Sequence, residues 1–324
     1  MKVSVIVPIF NVRKYLDDFL RSLTMQEFLD VEFILIDDAS TDNCDEIISK
    51  YDDERIVYIK KEVNEGLYKA RQDGFDISKG TYVINLDPDD LISNSFISNL
   101  YDAARRDNLD IVVCNVSLID EDGKELKSVK SKREPKSFHF NEDRYHSLLS
   151  IPYATWCRLI KKELIIKQSY TYNQGELFLT NFHFLKNVRS GFCSTSEYYY
   201  RIRDNSLSSH VNSVKRLHDS ISMDKLDLFY KELSNLDVDH KLIQYYSLFN
   251  YISNIKLIYT SSLYKYDYKK YIALDKHLRQ LTSFNKWSSL KAINYMSFEL
   301  KLFTMLNFFG LIPSVIFLKG FFKR

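Results

Sequence analysis

Glycine is scarce at the start of this chain. The 324 residues include 8 glycines, and none precedes Gly66. A dinucleotide site of the G-x-G-x-x-G type needs glycines straight after the first strand, so that backbone can approach a pyrophosphate. The stretch "PIFNVR" stands there instead, and the G-x-x-x-x-G-K-[ST] phosphate loop is absent as well. Any diphosphate bound here must therefore be met by side chains and a cation. Proline is also rare, at 5 residues, so long disordered linkers are not expected. The 4 cysteines, Cys44, Cys114, Cys157 and Cys193, are far apart, with no C-x-x-C pair and no Cys/His cluster. That pattern excludes a disulfide framework and a structural zinc site, and reads as free thiols in a reducing compartment. No signal peptide is expected either. The apolar run of "MKVSVIVPIFN" is broken by Pro8 and Asn11 and no small-residue cleavage site follows, so it reads as a buried strand of a cytoplasmic protein.

What is abundant is aromatic side chain, with 23 Tyr and 22 Phe. Most of these must be core, although such density also suits sugar stacking and membrane interfaces. Charge is unevenly spread. Residues 239–324 carry 13 Lys and Arg against 4 Asp and Glu, whereas the rest of the chain is acidic. A basic aromatic tail on an acidic body points to an anionic surface as partner. The last stretch, "LFTMLNFFGLIPSVIFLKGFFKR", has about 17 mostly apolar residues with Pro313 inside, short of a span. It reads as an interfacial segment ending in Lys319, Lys323 and Arg324, or else as a buried C-terminal helix or an oligomer contact. Nucleic acid is a poor candidate, because the body is acidic and no binding module is visible.

Strand and helix patterns alternate through the first half. Short apolar strands are expected at "VSVIVP", "EFILIDD", "RIVYIK", "TYVINL" and "DIVVCNVSLI". Between them, "VRKYLDDFLRSLTMQ", "TDNCDEIISKY", "GLYKARQDGFDIS" and "SNSFISNLYDAARRD" have helical spacing. Thr41 or Asp42 is the expected N-cap of the second helix, and Ser93 or Asn94 that of the fourth. This alternation means βαβ units and a mostly parallel sheet flanked by helices. Further on, "EDGK" is a turn, "SVKSKREPKS" a charged loop, "WCRLIKKELIIKQ" leads into a short helix, "GELFLTNFHFLKNV" is a helix and "GFCSTSEYYYRIR" a strand. Helical spacing dominates from Ser209, so the expected domains are 1–208 and a helical extension over 209–324.

Two acidic clusters fall at strand ends, Asp37-Asp38 and "LDPDD" from Leu86 to Asp90. In open α/β sheets ligands bind outside the C-terminal ends of the strands. A D-x-D pair at a turn aims carboxylates at one place, where a hard divalent cation with oxygen ligands would neutralise them. Such a cation usually also binds substrate phosphates, so the cluster implies a metal–diphosphate ligand. An acidic turn capping the next helix is the plain alternative. Asp37-Asp38 could accept hydrogen bonds from a base or ribose, or simply cap a helix. Arg71 could supply a cation.

The segments "VSVIVPIFNVRKYL", "FILIDDASTDNC", "NEGLYKARQDGF", "GTYVINLDPDD" and "WCRLIKKELI" resemble, in order and spacing, the family 2 glycosyltransferases of the GT-A fold. The resemblance covers roughly residues 1–165 and continues more weakly to about Ser208. It implies a Rossmann-like GT-A domain that binds a UDP-sugar with Mn²⁺ or Mg²⁺. Pro8, Phe10 and Asn11 match the family's first-strand motif, which implies that Phe10 stacks near the nucleobase. Asp38 would bind the base, and Asn64 and Arg71 would line the nucleotide and diphosphate. Asp87 would lie near the ribose and Asp89 would be the direct metal ligand. Trp156 matches a tryptophan of the acceptor region.

One departure concerns the catalytic base. Many relatives have G-E-D-L-L-F at a helix start, its Asp deprotonating the acceptor hydroxyl, whereas Leu177 stands at that position here. Glu176 is the nearest carboxylate and is taken as the base, with an N-terminal helix charge as its plain alternative; His183 is a further candidate. The implied chemistry is inverting single displacement at the anomeric carbon, toward a glycan or lipid-linked acceptor at the inner face of the membrane, as in bacterial surface polysaccharide synthesis. Two other readings differ in class. A nucleotidyltransferase would bring a glycine-rich triphosphate loop. A pseudo-transferase that binds nucleotide-sugar or a partner enzyme would show no turnover.

Overall fold

The computed structural model describes residues 1–128, 155–172 and 188–203, all of which belong to one compact unit. The expected helix over "GELFLTNFHFLKNV", the boundary at 208 and the basic tail lie outside the described residues, as do Glu176, Leu177 and His183.

The first half alternates as the periodicity predicts. Strand β1 (Val3–Ile9) leads to α1 (Arg13–Thr24), β2 (Val31–Asp37), α2 (Cys44–Ile48), β3 (Ile56–Lys60), α3 (Leu67–Ile77) and β4 (Tyr82–Asn85). These four strands are parallel: β1 lies between β2 and β4, and β3 is outside β2. Every residue of β1 and β2 is buried, as continuous Val/Ile-rich strands covered on both faces must be. Helix α1 buries Tyr15, Leu16, Phe19, Leu20 and Leu23 against the sheet, the stripe the sequence showed. At the start of β4, Gly80 admits the chain so close to β1 that a Cβ there would lie 2.5 Å from the backbone nitrogen of Ser4.

Beyond β4 the pairing becomes mixed. A two-residue strand β5 (Leu91–Ile92), α4 (Phe96–Arg106) and β6 (Ile111–Ile119) come next. The expected turn at "EDGK" joins β6 to β7 (Glu125–Ser128), with Gly123 at φ 84°. A 3₁₀ turn (Thr155–Cys157), β8 (Arg158–Lys161), α5 (Lys162–Lys167) and β9 (Ser190–Arg201) complete the described residues. The sheet order is β3-β2-β1-β4-β8-β6-β9-β5, with β7 also on β6. Strand β8 is antiparallel to both β4 and β6, while β9 is parallel to β6 and antiparallel to β5. The parallel part expected from the alternation is thus β1–β4, and the second half is a mixed extension of the same sheet. Among the described residues no helix is long and apolar enough to cross a membrane.

Two helix starts differ from expectation, each for a physical reason. Helix α2 begins after Asn43, in the left-handed region, and not at Thr41 or Asp42. The Asp42 carboxylate instead accepts the backbone N–H of Arg13, 2.8 Å away, so it serves the first turn of α1. Helix α4 starts after Ser95 without a cap from Ser93 or Asn94. Gln26 takes that duty from a distance: its Oε1 accepts the N–H of Ile97 at 3.1 Å while its Nε2 donates to the Ser93 carbonyl at 2.7 Å.

Candidate active site

The C-terminal ends of β1, β2 and β4 form one edge of the sheet, and both acidic clusters lie on it. At the end of β2, Asp37 turns inward. Its Oδ1 accepts the Ser40 N–H at 2.8 Å and its Oδ2 accepts the Tyr58 hydroxyl at 3.0 Å. The chain then passes through Ala39 at φ 61°, a left-handed conformation that is unfavourable for a residue bearing a Cβ. Asn11, just after β1, is also left-handed, at φ 52°. Its side-chain oxygen accepts the Thr41 N–H at 2.9 Å, and its own N–H donates to the Ser40 hydroxyl at 3.2 Å. The two strand ends are tied together by these bonds.

Asp38 is buried and fully engaged. Its carboxylate accepts the N–H groups of Glu65 (3.1 Å) and Gly66 (2.7 Å) and pairs with Lys61 at 2.8 Å. Burial alone would raise its pKa, but Lys61 and the two backbone donors outweigh that and hold the carboxyl below the usual range. Asp38 therefore organises the turn from Lys61 to Gly66, which leads into α3. Gly66, at φ 92°, supplies the left-handed backbone that this turn needs. Because the folded-state pKa is depressed, the stabilisation is present above the unfolded-state pKa and is lost as pH falls through the folded one. Asp38→Asn is accordingly expected to lower the thermal midpoint at pH 7. The gap from wild type should begin to narrow as pH falls below about 4, and thermal scans from pH 7 into the acid range would show a constant gap if the pairing with Lys61 contributed nothing.

The second cluster follows β4. Carboxylate oxygens of Asp87, Asp89 and Asp90 come within 4.8 Å of one another. The three are not equivalent. Asp90 is only 1% exposed; its Oδ2 accepts the Tyr198 hydroxyl at 2.6 Å and its Oδ1 the N–H of Arg201 at 2.7 Å. Burial first, then the Asp89 and Asp87 charges, push its carboxyl well above the usual range. Asp87 and Asp89 are more open. The Arg71 guanidinium donates to Asp87 Oδ1 at 2.7 Å from the buried face of α3. Asp89 Oδ2 pairs with Arg203, and the Asp89 carbonyl accepts Arg201 Nε at 2.8 Å. Two partly exposed carboxylates backed by a buried third fit a divalent cation, which takes one or two carboxylates together with substrate oxygens.

Strand β9 is the strand expected at "GFCSTSEYYYRIR", but its reach to the aspartate turn was not visible in the sequence. Tyr198, Arg201 and Arg203 all reach the aspartate turn. Arg201 also donates to the Glu121 carbonyl at 2.6 Å, and both arginines lie over the Tyr15 ring at 5.2 and 5.1 Å. The only hint was the alternation in "YYYRIR", which shows a strand but not what it faces. Trp156 stacks on Tyr198 (4.3 Å, 13°) and on Tyr200 (5.4 Å, 16°), and is 9% exposed. It therefore stands two contacts from Asp90. Of the other expected residues, Pro8 is buried in β1, whereas Phe10 and Asn64 are exposed on either side of Asp38 in the chain.

A sequence profile described as Glycosyl transferase family 2 matches residues 4–168, half of the chain. This chain belongs to glycosyl transferase family 2. The transferase is 30% identical over 279 residues to the cholesterol galactosyltransferase of Borreliella burgdorferi, covering 81% of this chain and 76% of that one. It is 26% identical over 263 residues to the glycosyltransferase GlyG of Streptococcus pneumoniae, covering 76% and 86%. Its fold is similar to the crystal structure of S. aureus TarS 1-349 in complex with UDP-GlcNAc, with a TM-score of 0.69 at 16% identity, over 97% of this chain and 91% of that one. The α/β GT-A architecture and membership among the glycosyltransferases are thereby shown.

Proposed function

We propose that the transferase moves a hexose or N-acetylhexosamine from a UDP-sugar to a glycan acceptor, with inversion, using Mn²⁺ or Mg²⁺. The observation that carries this is the convergence of Asp87 and Asp89 at the end of β4, backed by Arg71. Asp89 holds the metal and Asp87 faces the ribose. Asp38, through the turn it organises, sets the floor of the nucleobase site. Phe10, exposed beside it, offers a ring to the base, with Pro8 and Asn11 shaping the same strand end. Asn64 and Arg71 line the nucleotide and diphosphate. The metal supplies electrophilic stabilisation of the departing diphosphate when bound. Glu176 takes the proton of the acceptor hydroxyl, and Trp156 steadies the acceptor side through its stack on Tyr198. Binding of UDP-GlcNAc by the structurally similar TarS supports a UDP-sugar donor.

The acceptor is lipid-linked, of the kind used in bacterial surface polysaccharide synthesis. The sterol acceptor in the name of the Borreliella relative and the basic aromatic segment over 239–324 support a substrate at a membrane surface. The catalytic domain covers 1–208, and 209–324 provides the peripheral contact with the inner face of the membrane. UDP release across a panel of UDP-sugars, with Mn²⁺ and lipid-pyrophosphate acceptors, tests this directly. Turnover with one donor, lost in Asp89→Ala and reduced in Glu176→Gln, is the expected result. Full metal-dependent activity in Asp89→Ala would refute the site assignment.

A further inference from the structure

Three guanidiniums surround the aspartate turn, and they differ in how firmly they are held. Arg71 is buried in α3. Arg201 is 1% exposed and is tied by its backbone N–H, its Nε and its Nη1 to Asp90, Asp89 and Glu121. Arg203 is different. It lies beyond the end of β9 with its side chain 25% exposed, more than either of the others, and it pairs with Asp89 Oδ2. Among the described residues its other neighbours are the Tyr15 ring and the charge of Glu121. It is thus the loosest cation of the cluster, and it sits on the carboxylate best placed to bind a metal.

An arginine cannot yield by losing its proton, because it stays charged at all accessible pH. It can only move. The two open carboxylates, Asp87 and Asp89, are each matched by one guanidinium, Arg71 and Arg203. A divalent cation entering alone would upset that match beside a fixed positive charge. The same cation arriving with a diphosphate leaves the balance unchanged, and the diphosphate gives a displaced guanidinium a new anion.

We propose that Arg203 holds the cation's place at Asp89 and so makes metal binding conditional on the nucleotide diphosphate. The inference rests on the donor and metal reading above, and it adds a residue that sets the order and coupling of the two ligands. Coupling of this kind is reciprocal: whatever factor UDP contributes to Mn²⁺ affinity, Mn²⁺ contributes to UDP affinity.

The test is Mn²⁺ binding to the full chain, followed by electron paramagnetic resonance and calorimetry, with and without UDP. Wild type is expected to take up Mn²⁺ weakly alone and much more tightly with UDP. Arg203→Gln should bind Mn²⁺ alone about tenfold more tightly, following loss of a charge that competes for the same carboxylate at close range. Its coupling to UDP should shrink by a similar factor. Arg203→Lys keeps a cation there and should retain most of the wild-type coupling. Lys14→Gln removes a charge that pairs with Glu121 nearby and should change Mn²⁺ affinity less than twofold. An equal or weaker Mn²⁺ affinity in Arg203→Gln, or an equal gain in Lys14→Gln, overturns the proposal. If wild type takes up no Mn²⁺ even with UDP, the metal-dependent function itself fails. UDP-coupled uptake in wild type with unchanged coupling in Arg203→Gln defeats the role of Arg203 alone.

Discussion

Asp89→Ala is expected to lower kcat/KM by about 10³-fold, or about 4 kcal/mol of transition-state stabilisation, with the fold intact. The two parts of that expectation come from different atoms of one residue. The structural bond of Asp89 is made by its backbone carbonyl, which receives Arg201 Nε, and alanine keeps it. Its carboxylate bonds only to Arg203 in the described contacts, a partly exposed pair that contributes little to stability. Removing the carboxylate therefore takes away a ligand for charge that develops in the transition state. Steady-state kinetics alongside a thermal scan separates the two. A variant that loses activity together with several degrees of thermal midpoint would show that Asp89 supports the turn instead of the chemistry.

Arg71→Met should lower both stability and nucleotide affinity. The methionine keeps much of the buried stem of α3 but removes the guanidinium that donates to Asp87 at 2.7 Å. Breaking a fully buried pair costs about 3–5 kcal/mol. Asp87 is 27% exposed and can be partly rehydrated, so about 2–3 kcal/mol is expected here. Arg71→Lys should not restore it, because a single ammonium cannot reproduce the planar fork of donors. Chemical denaturation gives the stability and calorimetry the affinity for UDP. Wild-type values for both in Arg71→Met would mean that the pair is incidental.

Much of this was legible in the sequence where the signal was local. The β-branched runs of β1 and β2, the apolar stripe of α1 and the acid pairs at strand ends are short-range patterns, and each led to the right element. What the sequence hid was long-range. Asp42 serves the first turn of a helix 29 residues earlier, and Gln26 caps one 71 residues later, so the local capping rule pointed to the wrong residues. The mixed half of the sheet was hidden for the same reason, since β8 and β9 join through pairings that no spacing encodes. At the site, D-x-D spacing revealed Asp87 and Asp89, but nothing in "LDPDD" distinguishes the buried Asp90 from its neighbours. That difference comes from Tyr198 and Arg201, more than 100 residues away.

The bonds from β9 to the aspartate turn also set a timetable. Asp90 receives Arg201 across 111 residues of chain. During synthesis at about 5–20 residues per second, those residues take on the order of ten seconds to appear. The parallel strands β1–β4 can assemble in that interval, because their partners are already made. The aspartate turn cannot, since its tether has yet to leave the ribosome. A nascent chain therefore carries a formed scaffold before it carries a competent catalytic centre. Ribosome-bound chains that end before Tyr198 should have the sheet yet lack the fixed acidic turn.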